Sequence, residues 1–334
     1  MLNIKRLVSG LVLTAIVVLS SFGVSLAQEQ QGGSGLQITP TRTEMSLLPG
    51  EQKDFEITVK NVTQGTVDVK SFFNDFESDG ITGEPQIVVD PNREIGNSMK
   101  RYVKGLEDFK LAKGESKNVK VTVDLPSDAS PGGYYGVVRF AAYPEGSKTD
   151  GETQVSLNAS VASLLLVEAS GEITEQIQVD YINSCVKTED DLKKTDVQCE
   201  KSSGLFFGSG PNATSIKILN KGNSFSRPFG RVTVTKGGKE VYAYELNNKE
   251  PRGVVLPNSS RIFTDKIENV NKFGKYTITA NVSHGQGGEV ITKTASFWYI
   301  PIWALIAIAA VILGLIGLAI FIFMKLGKKR KSRR

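Results

Sequence analysis

The stretch from Pro301 to Met324, PIWALIAIAAVILGLIGLAIFIFM, contains no charged residue and divides the chain into a long body and a short tail. At about 1.5 Å per helical residue it reaches about 36 Å, enough to cross a hydrocarbon core of about 30 Å with some tilt. Trp298, Tyr299 and Trp303 stand at its upstream end, where aromatic rings suit a membrane interface. Lys325, Lys328, Lys329, Arg330, Lys331, Arg333 and Arg334 crowd the downstream end. A buried core helix would keep a polar face and would not run into seven cations. Residues 299–324 therefore read as a single transmembrane helix and residues 325–334 as a basic cytoplasmic tail, leaving the N-terminal body extracellular.

The other end agrees with this orientation. Lys5 and Arg6 precede an apolar run from Leu7 to Leu26, and Ser25-Leu26-Ala27 puts small residues where a signal peptidase reads. Residues 1–27 are expected to form a cleaved signal peptide, with an uncleaved signal anchor as the alternative. Residues 28–35, QEQQGGSG, read as a flexible lead.

A sequence pI near 9.0 points to a basic protein until the charges are divided by compartment. Two of the 40 Lys and Arg fall in the leader and seven in the tail, which leaves 31 against 35 Asp and Glu, a net charge of −4 on the body. Nucleic acid is not an expected partner. The tail cations mark topology and favour anionic lipids, each contributing about 1 kcal/mol near such a surface. Cys185 and Cys199, the two cysteines of an exported chain, are expected to pair with each other. The crosslink reads either as a structural staple of about 3 kcal/mol or as a redox or metal pair; neither CxxC spacing nor a nearby His favours the second.

Between leader and span the chain shows no amphipathic helix of useful length, but many short runs of alternating polarity. In Asp54–Lys60, Phe55, Ile57 and Val59 share one face while Asp54, Glu56, Thr58 and Lys60 share the other. Lys117–Val123, Tyr135–Ala141 and Val155–Val167 follow in the first half; Ile173–Val179, Thr214–Leu219, Arg231–Thr235, Glu240–Leu246, Arg261–Ile267, Tyr276–Val282 and Val290–Phe297 follow in the second. Lys236-Gly237-Gly238-Lys239 is a two-residue hairpin signal. Leu48-Pro49-Gly50-Glu51 and Leu111-Ala112-Lys113-Gly114-Glu115 are similar turns feeding a strand. The expected fold is all-β: two tandem immunoglobulin-like β-sandwiches, residues 36–170 and 171–298, plus the C-terminal transmembrane helix.

Several phrases carry a resemblance. Leu36-Gln37-Ile38-Thr39-Pro40-Thr41-Arg42, Leu48-Pro49-Gly50-Glu51, Leu125-Pro126 and Pro131-Gly132-Gly133-Tyr134-Tyr135-Gly136-Val137-Val138-Arg139-Phe140 resemble the WxL-interacting surface proteins of bacteria. Val255-Leu256-Pro257-Asn258-Ser259-Ser260, Phe273-Gly274-Lys275-Tyr276-Thr277 and the anchored C-terminus extend the resemblance over the second half. It implies a membrane-distal domain associated with peptidoglycan and a membrane-proximal one associated with a secreted partner carrying a WxL domain. The Cys185–Cys199 pair and the polar insert between them depart from that pattern, which bears on the partner surface of the second domain.

Five residues stand out as candidate binding residues: Arg42, Gly132, Gly133, Tyr134 and Tyr135. Gly132 and Gly133 reach backbone conformations closed to other residues, and the tyrosines offer flat amphipathic faces to a sugar or a side chain. The same stretch also reads as a glycine turn feeding a core strand whose tyrosines pack internally. Pro40-Thr41-Arg42 is similar to the opening strand of periplasmic pilus chaperones, where an Arg anchors a subunit's terminal carboxylate; otherwise Arg42 is a solvent-facing strand residue. Either use involves a sheet edge completed by a guest strand.

Asp75-Phe76-Glu77-Ser78-Asp79-Gly80 has the alternating carboxylates of a calcium loop but lacks its final Glu, and a plain Asp-Gly turn fits as well. The sequons at Asn61, Asn158, Asn212, Asn258 and Asn281 mark, in a bacterial host, only polar residues of exposed strands and turns. His284 reads as a turn histidine, and Ala310 and Gly314 as small residues able to seat a second helix. No catalytic residues, metal ligands or cofactor are assigned. The expected function is a membrane-anchored surface protein that holds peptidoglycan or a secreted partner; the alternative is a membrane-tethered, pilus-chaperone-like assembly factor.

Overall fold

In a computed structural model of the chain, residues 35–331 are described except 89, 91–92, 94, 147–159, 195–196, 200–205 and 286–288. The expected signal peptide, all of the lead but Gly35, the front of the run from Val155 with Asn158, and Asp196 of the Cys insert lie outside the described residues. The N-terminal half contains β1 (Leu36–Thr39), β2 (Arg42–Leu47), β3 (Gln52–Asn61), β4 (Val67–Asn74), β5 (Phe76–Ser78), β6 (Pro85–Ile87), β7 (Val103–Lys104), β8 (Phe109–Leu111), β9 (Ser116–Asp124), β10 (Gly132–Pro144) and β11 (Ser160–Ala169). The C-terminal half adds β12 (Ile177–Cys185), β13 (Phe206–Phe207), β14 (Ala213–Asn220), β15 (Phe229–Lys236), β16 (Lys239–Leu246), β17 (Ser259–Lys266), β18 (Gly274–Ser283) and β19 (Val290–Tyr299). The long helix α1 (Ile302–Lys331) follows. The chain is thus all-β with one apolar C-terminal helix.

Alternation explains the layers. In β3, Ile57 and Val59 are fully buried, and in β9 Val119, Val121 and Val123 are buried, while their neighbours face water. The sheet β1-β3-β9-β7 stacks on the sheet β2-β11-β10-β4-β8, and Val69, Val138 and Phe140 of the second meet Ile38, Ile57 and Val121 of the first in one core. In the C-terminal half, β12-β14-β17 faces β13-β19-β18-β15-β16 around Ile216, Ile218, Val232, Val234, Tyr276 and Ile278. These two cores share no residue, and the chain passes between them through residues 170–176.

The two halves use the same buried brackets. Asn61, at the end of β3, is buried; its amide donates to Gly65 O at 2.7 Å and Leu111 O at 3.1 Å, and its Oδ1 accepts from Thr63 N at 2.8 Å. Asn220, at the end of β14, donates to Ser224 O at 2.8 Å and Val255 O at 3.0 Å and accepts from Gly222 N at 2.9 Å. Each ties a strand end to the next turn and to the segment entering a neighbouring strand. The sequon at Asn61 is therefore an interior bracket, not an exposed polar site. Tyr134 and Tyr276 likewise donate their hydroxyls to the carbonyl four residues upstream, Ser130 at 3.0 Å and Lys272 at 2.8 Å. Gly50 and Gly114 take positive φ in two matching turns. In each the following Glu carboxylate accepts the amide three residues back, Leu48 N at 2.8 Å and Ala112 N at 2.7 Å.

Three boundaries differ from the sequence reading. The run Ile173–Val179 becomes strand only at Ile177, because Thr174 and Gln176 bond to the 221–223 turn instead: Lys221 N donates to Gln176 O at 2.8 Å and Thr174 N to Asn223 Oδ1 at 2.8 Å. At the other end, β19 runs two residues past Phe297, so Tyr299 belongs to the sheet, paired with Gly274 and Phe207, and α1 begins at Ile302. The helix also continues past Met324 to Lys331, through most of the basic tail. Residues Ile302–Met324 are long and apolar enough to cross a membrane. Cys185 and Cys199 are joined, with Cα atoms 5.4 Å apart and Cys199 fully buried. The intervening loop carries a short 3₁₀ turn, Asp191–Lys193, and its Leu192 and Val197 line a hollow of about 100 Å³ together with Ile262 and Thr264 of β17.

On the opposite face of β17, Asp265 points between the sheets beside Phe263, and burial pushes its carboxyl up to about 6, with Lys249 pulling the other way. The Tyr244 hydroxyl, buried without a partner, is raised well above its usual value by the same burial and by Asp265. Asp265 thus keeps its proton in the folded chain at pH values where the unfolded chain has lost it, so its ionisation costs stability as pH rises from about 4 to about 6. The full cost, about 3 kcal/mol, applies above that window and vanishes below it. Asp265→Asn is expected to raise the melting temperature at pH 7.5, with the gain shrinking to nothing near pH 4, as measured by thermal unfolding across pH.

Candidate functional site

Between the halves lies a seam built by both. Phe76, Tyr135, Val137 and Leu166 of the N-terminal half are buried against Leu256 of the C-terminal half, with Leu164, Phe225 and Val254 beside them. Gly133 N donates to Asn223 O at 2.8 Å, Asn223 Nδ2 donates to Pro131 O at 3.1 Å and Glu172 O at 3.0 Å, and the Ser224 hydroxyl donates to Glu168 at 2.6 Å. On the far side the turn between β5 and β6 reaches β17: Ile262 N donates to Ile81 O at 2.7 Å and the Ser260 hydroxyl to Gly80 O at 2.8 Å. Within that turn the Asp79 carboxylate accepts the amides of Ile81, Thr82 and Gly83, so it serves the Asp-Gly turn.

The seam accounts for three of the five candidate residues, Gly132, Gly133 and Tyr135; Tyr134 packs inside the N-terminal half. Gly132, at φ +144°, and Gly133 approach the second half so closely that a Cβ would stand 2.6 Å from Asn223 O and 2.8 Å from the Phe225 ring, respectively. Tyr135 is buried with its ring 5.0 Å from that of Phe76, and Tyr134 meets Tyr102 edge-on at 6.4 Å. Tyr135 therefore serves packing, and Tyr134 is half-buried against the core of its own half. His284, read as a turn residue, is buried too, with Nδ1 3.5 Å from Glu175.

Arg42 is not a solvent-facing strand residue. It opens β2, which pairs in parallel with β11 from Leu164 to Ala169, and its side chain is 19% exposed at the edge of a cleft of about 440 Å³ between the halves. Arg227, Arg252, Glu44, Glu250 and Pro251 line the same cleft. Glu44 is bridged by both Arg42 and Arg227, and Arg42 Nη1 donates to Arg252 O at 3.3 Å. Arg252 lies over the Phe229 ring at 4.4 Å. Arg261, from β17, donates to Val254 O at 3.2 Å and borders an adjoining apolar hollow of about 90 Å³ that Arg42 also lines, with Leu164, Leu166 and Leu256.

Burial lowers the Arg42 pKa from its ordinary value, and the charges of Arg227 and Arg261 lower it further; burial alone lowers Arg227 and Arg261 against the pull of nearby carboxylates. Guanidinium groups stay charged through such shifts, so the cost appears as an attraction for anions. Three arginines face two glutamates across the cleft; Arg42 Nε is buried without an acceptor, and Arg252 Nε has only the Glu250 carboxylate, 3.5 Å away. Above Arg42 the β2 pairing ends, and β11 from Ser160 to Ala162 has no strand on that edge among the described residues.

Sequence reading identified Arg42 but none of its three companions. Arg227 and Arg252 each sit beside a proline in a connecting loop, Arg227-Pro228 and Pro251-Arg252, and that pairing is the local signal they carry.

No protein-family model and no curated protein matches the chain. Among solved structures it is similar to the class 5 fimbriae chaperone CfaA, at 16% identity over 80% of this chain and 100% of that one, with a TM-score of 0.38. It is also similar to the E. coli chaperone DraB, at 17% identity over 79% and 96%, TM-score 0.33, and to the Pseudomonas aeruginosa CupB2 chaperone, at 11% identity over 78% and 100%, TM-score 0.34.

The Gly133 approach leaves no room for a side chain. Gly133→Ala is expected to cost about 1–3 kcal/mol of overpacking at the seam and to open the 170–176 passage to protease. Unchanged limited proteolysis and an unchanged melting temperature would contradict the close contact.

Proposed function

We propose that the chain is a membrane-anchored surface protein of two immunoglobulin-like sandwiches, joined near Gly171, that holds an extended segment of a secreted or surface protein and acts as a tethered assembly factor. The segment adds to the open edge of β11 and ends with its carboxylate in the arginine cleft. One observation carries this reading. Arg42 stands where the β2 pairing stops, at the mouth of a cleft where three partly buried guanidinium groups face two carboxylates and Arg42 Nε lacks an acceptor. A carboxylate fits the planar fork of a guanidinium and would balance the third arginine. A guest strand gains affinity from backbone hydrogen bonds along the edge. No cofactor or catalytic step enters this function.

The helix α1 supplies the anchor, with the body outside and the basic end inside. Peptidoglycan and a WxL-type partner rest on the sequence resemblance alone: Tyr135 is buried in the seam, and Tyr134 packs edge-on against Tyr102 within its own half.

The test is binding of peptides with free or amidated C-termini to the detergent-solubilised chain. The free carboxylate is expected to bind more tightly. A charge-assisted hydrogen bond contributes about 1.5–3 kcal/mol, so Arg42→Ala and Arg227→Ala should each weaken it about 10- to 100-fold while leaving the amidated peptide little changed. Equal binding of the two peptides to the unaltered chain would rule out the carboxylate.

A further inference from the structure

The end of the C-terminal half nearest α1 carries large aromatic rings that no core uses. Phe206, Phe273, Trp298 and Trp303 are 64%, 46%, 39% and 68% exposed. Their neighbours show that this is a matter of sidedness. Phe207, Tyr276 and Phe297 turn inward, where Phe297 stacks on Tyr276 at 5.5 Å and meets Phe207 edge-on at 5.2 Å. Phe206 and Trp298 are cross-strand partners on the opposite face, and the Phe273 ring lies 6.3 Å from Trp298. Lys275, the other cross-strand partner of Trp298, is exposed on that same face.

This patch is held next to the helix. Ile300 N donates to Phe207 O at 2.9 Å, Ala304 N to Pro301 O at 2.9 Å, and both Pro301 and Ala304 are buried, so the first turn of α1 rests on the body. Trp298 precedes Ile302 by four residues, at most about 13 Å of extended chain. The apolar segment Ile302–Met324, 23 residues, reaches about 35 Å against a hydrocarbon core of about 30 Å, so its first turn stands in the interfacial layer. The aromatic row follows within reach of the same layer, where amphipathic rings are favoured and a Lys head meets phosphate.

We infer that this end of the body is a lipid-contacting collar. Phe206, Phe273 and Trp298, brought from three separate segments, rest in the headgroup region of the bilayer that α1 crosses, and Lys275 lies toward the lipid phosphates. The inference rests on reading α1 as a membrane span, and its occupant is the lipid surface continuous with that span.

The chain's two tryptophans separate the two claims. Full-length protein is reconstituted into phosphatidylcholine vesicles with or without lipids brominated near the headgroup end of the acyl chain. Trp298→Phe leaves Trp303 to report insertion of α1, and Trp303→Phe leaves Trp298 to report the collar. A third variant, Trp298→Phe/Trp303→Phe/Phe273→Trp, places the sole reporter on a loop far from the helix in sequence. All three are expected to lose most of their emission to brominated lipid and to resist aqueous iodide. Trp298 and the reporter at 273 answering to iodide while Trp303 answers to bromine would overturn the collar and leave the span standing. Protection of both from iodide and bromine alike would place protein on the patch and also overturn it. If Trp303 escapes bromine, the span fails and the collar with it. Trp303→Phe alters only an exposed helix residue, so the Trp298 result stands even if the reporter at 273 misfolds.

Discussion

The arginine cleft exists because the apolar seam holds the two halves at one fixed approach. Like charges repel, and Arg42, Arg227 and Arg261 each lose solvation where they sit. Nothing local to those strands would bring them together. Leu256 against Tyr135, Val137 and Leu166 supplies apolar burial, roughly 1.5–3 kcal/mol for each large side chain. The two sets of hydrogen bonds, at Asn223 and at the turn between β5 and β6, act at opposite ends of that contact, which resists both hinging and twisting. Glu44, shared by Arg42 and Arg227, spans the opening between them. The site is thus a property of the contact between halves more than of either half.

Each half in turn is stabilised by the same few polar devices. Asn61 and Asn220 make matching bonds at matching places, and Tyr134 and Tyr276 close matching turns. A buried asparagine is costly unless nearly all its donors and acceptors are used, so two such residues in equivalent positions indicate one structural solution built twice. The disulfide loop falls outside this correspondence. It borders a small hollow with Ile262 and Thr264 on the outer face of β17.

What was legible in the sequence follows from this arrangement. Period-two alternation located β3, β9, β15 and β18 because each has one face on a core and one in water. Gly237-Gly238 marked a hairpin, and the chain's two cysteines could be paired by number alone. Alternation misled at β10. Tyr134 and Tyr135 point to opposite faces, and the usual inference is that one of them is wet, yet β10 has a core on one side and the second half on the other. The cleft was illegible for a related reason. Arg227 and Arg252 lie about two hundred residues from Arg42, in loops whose conformations carry no period, and only the folded contact makes them neighbours. Ile173 and Thr174 alternate like a strand, but the 221–223 turn had a stronger claim on their backbone.

The direct passage of β19 into α1 has a mechanical meaning. A flexible stalk would let the body swing and would absorb a pull as loss of chain entropy. Here the last strand is itself the attachment, and it is registered with β18 along its whole length, from Val290 opposite Ser283 to Tyr299 opposite Gly274. Tension between the body and the helix runs parallel to that strand, so it loads the hydrogen bonds of the ladder together, in shear, and cannot peel them off one at a time. The body is set on the helix like a blade on its tang, stiff along the line of pull.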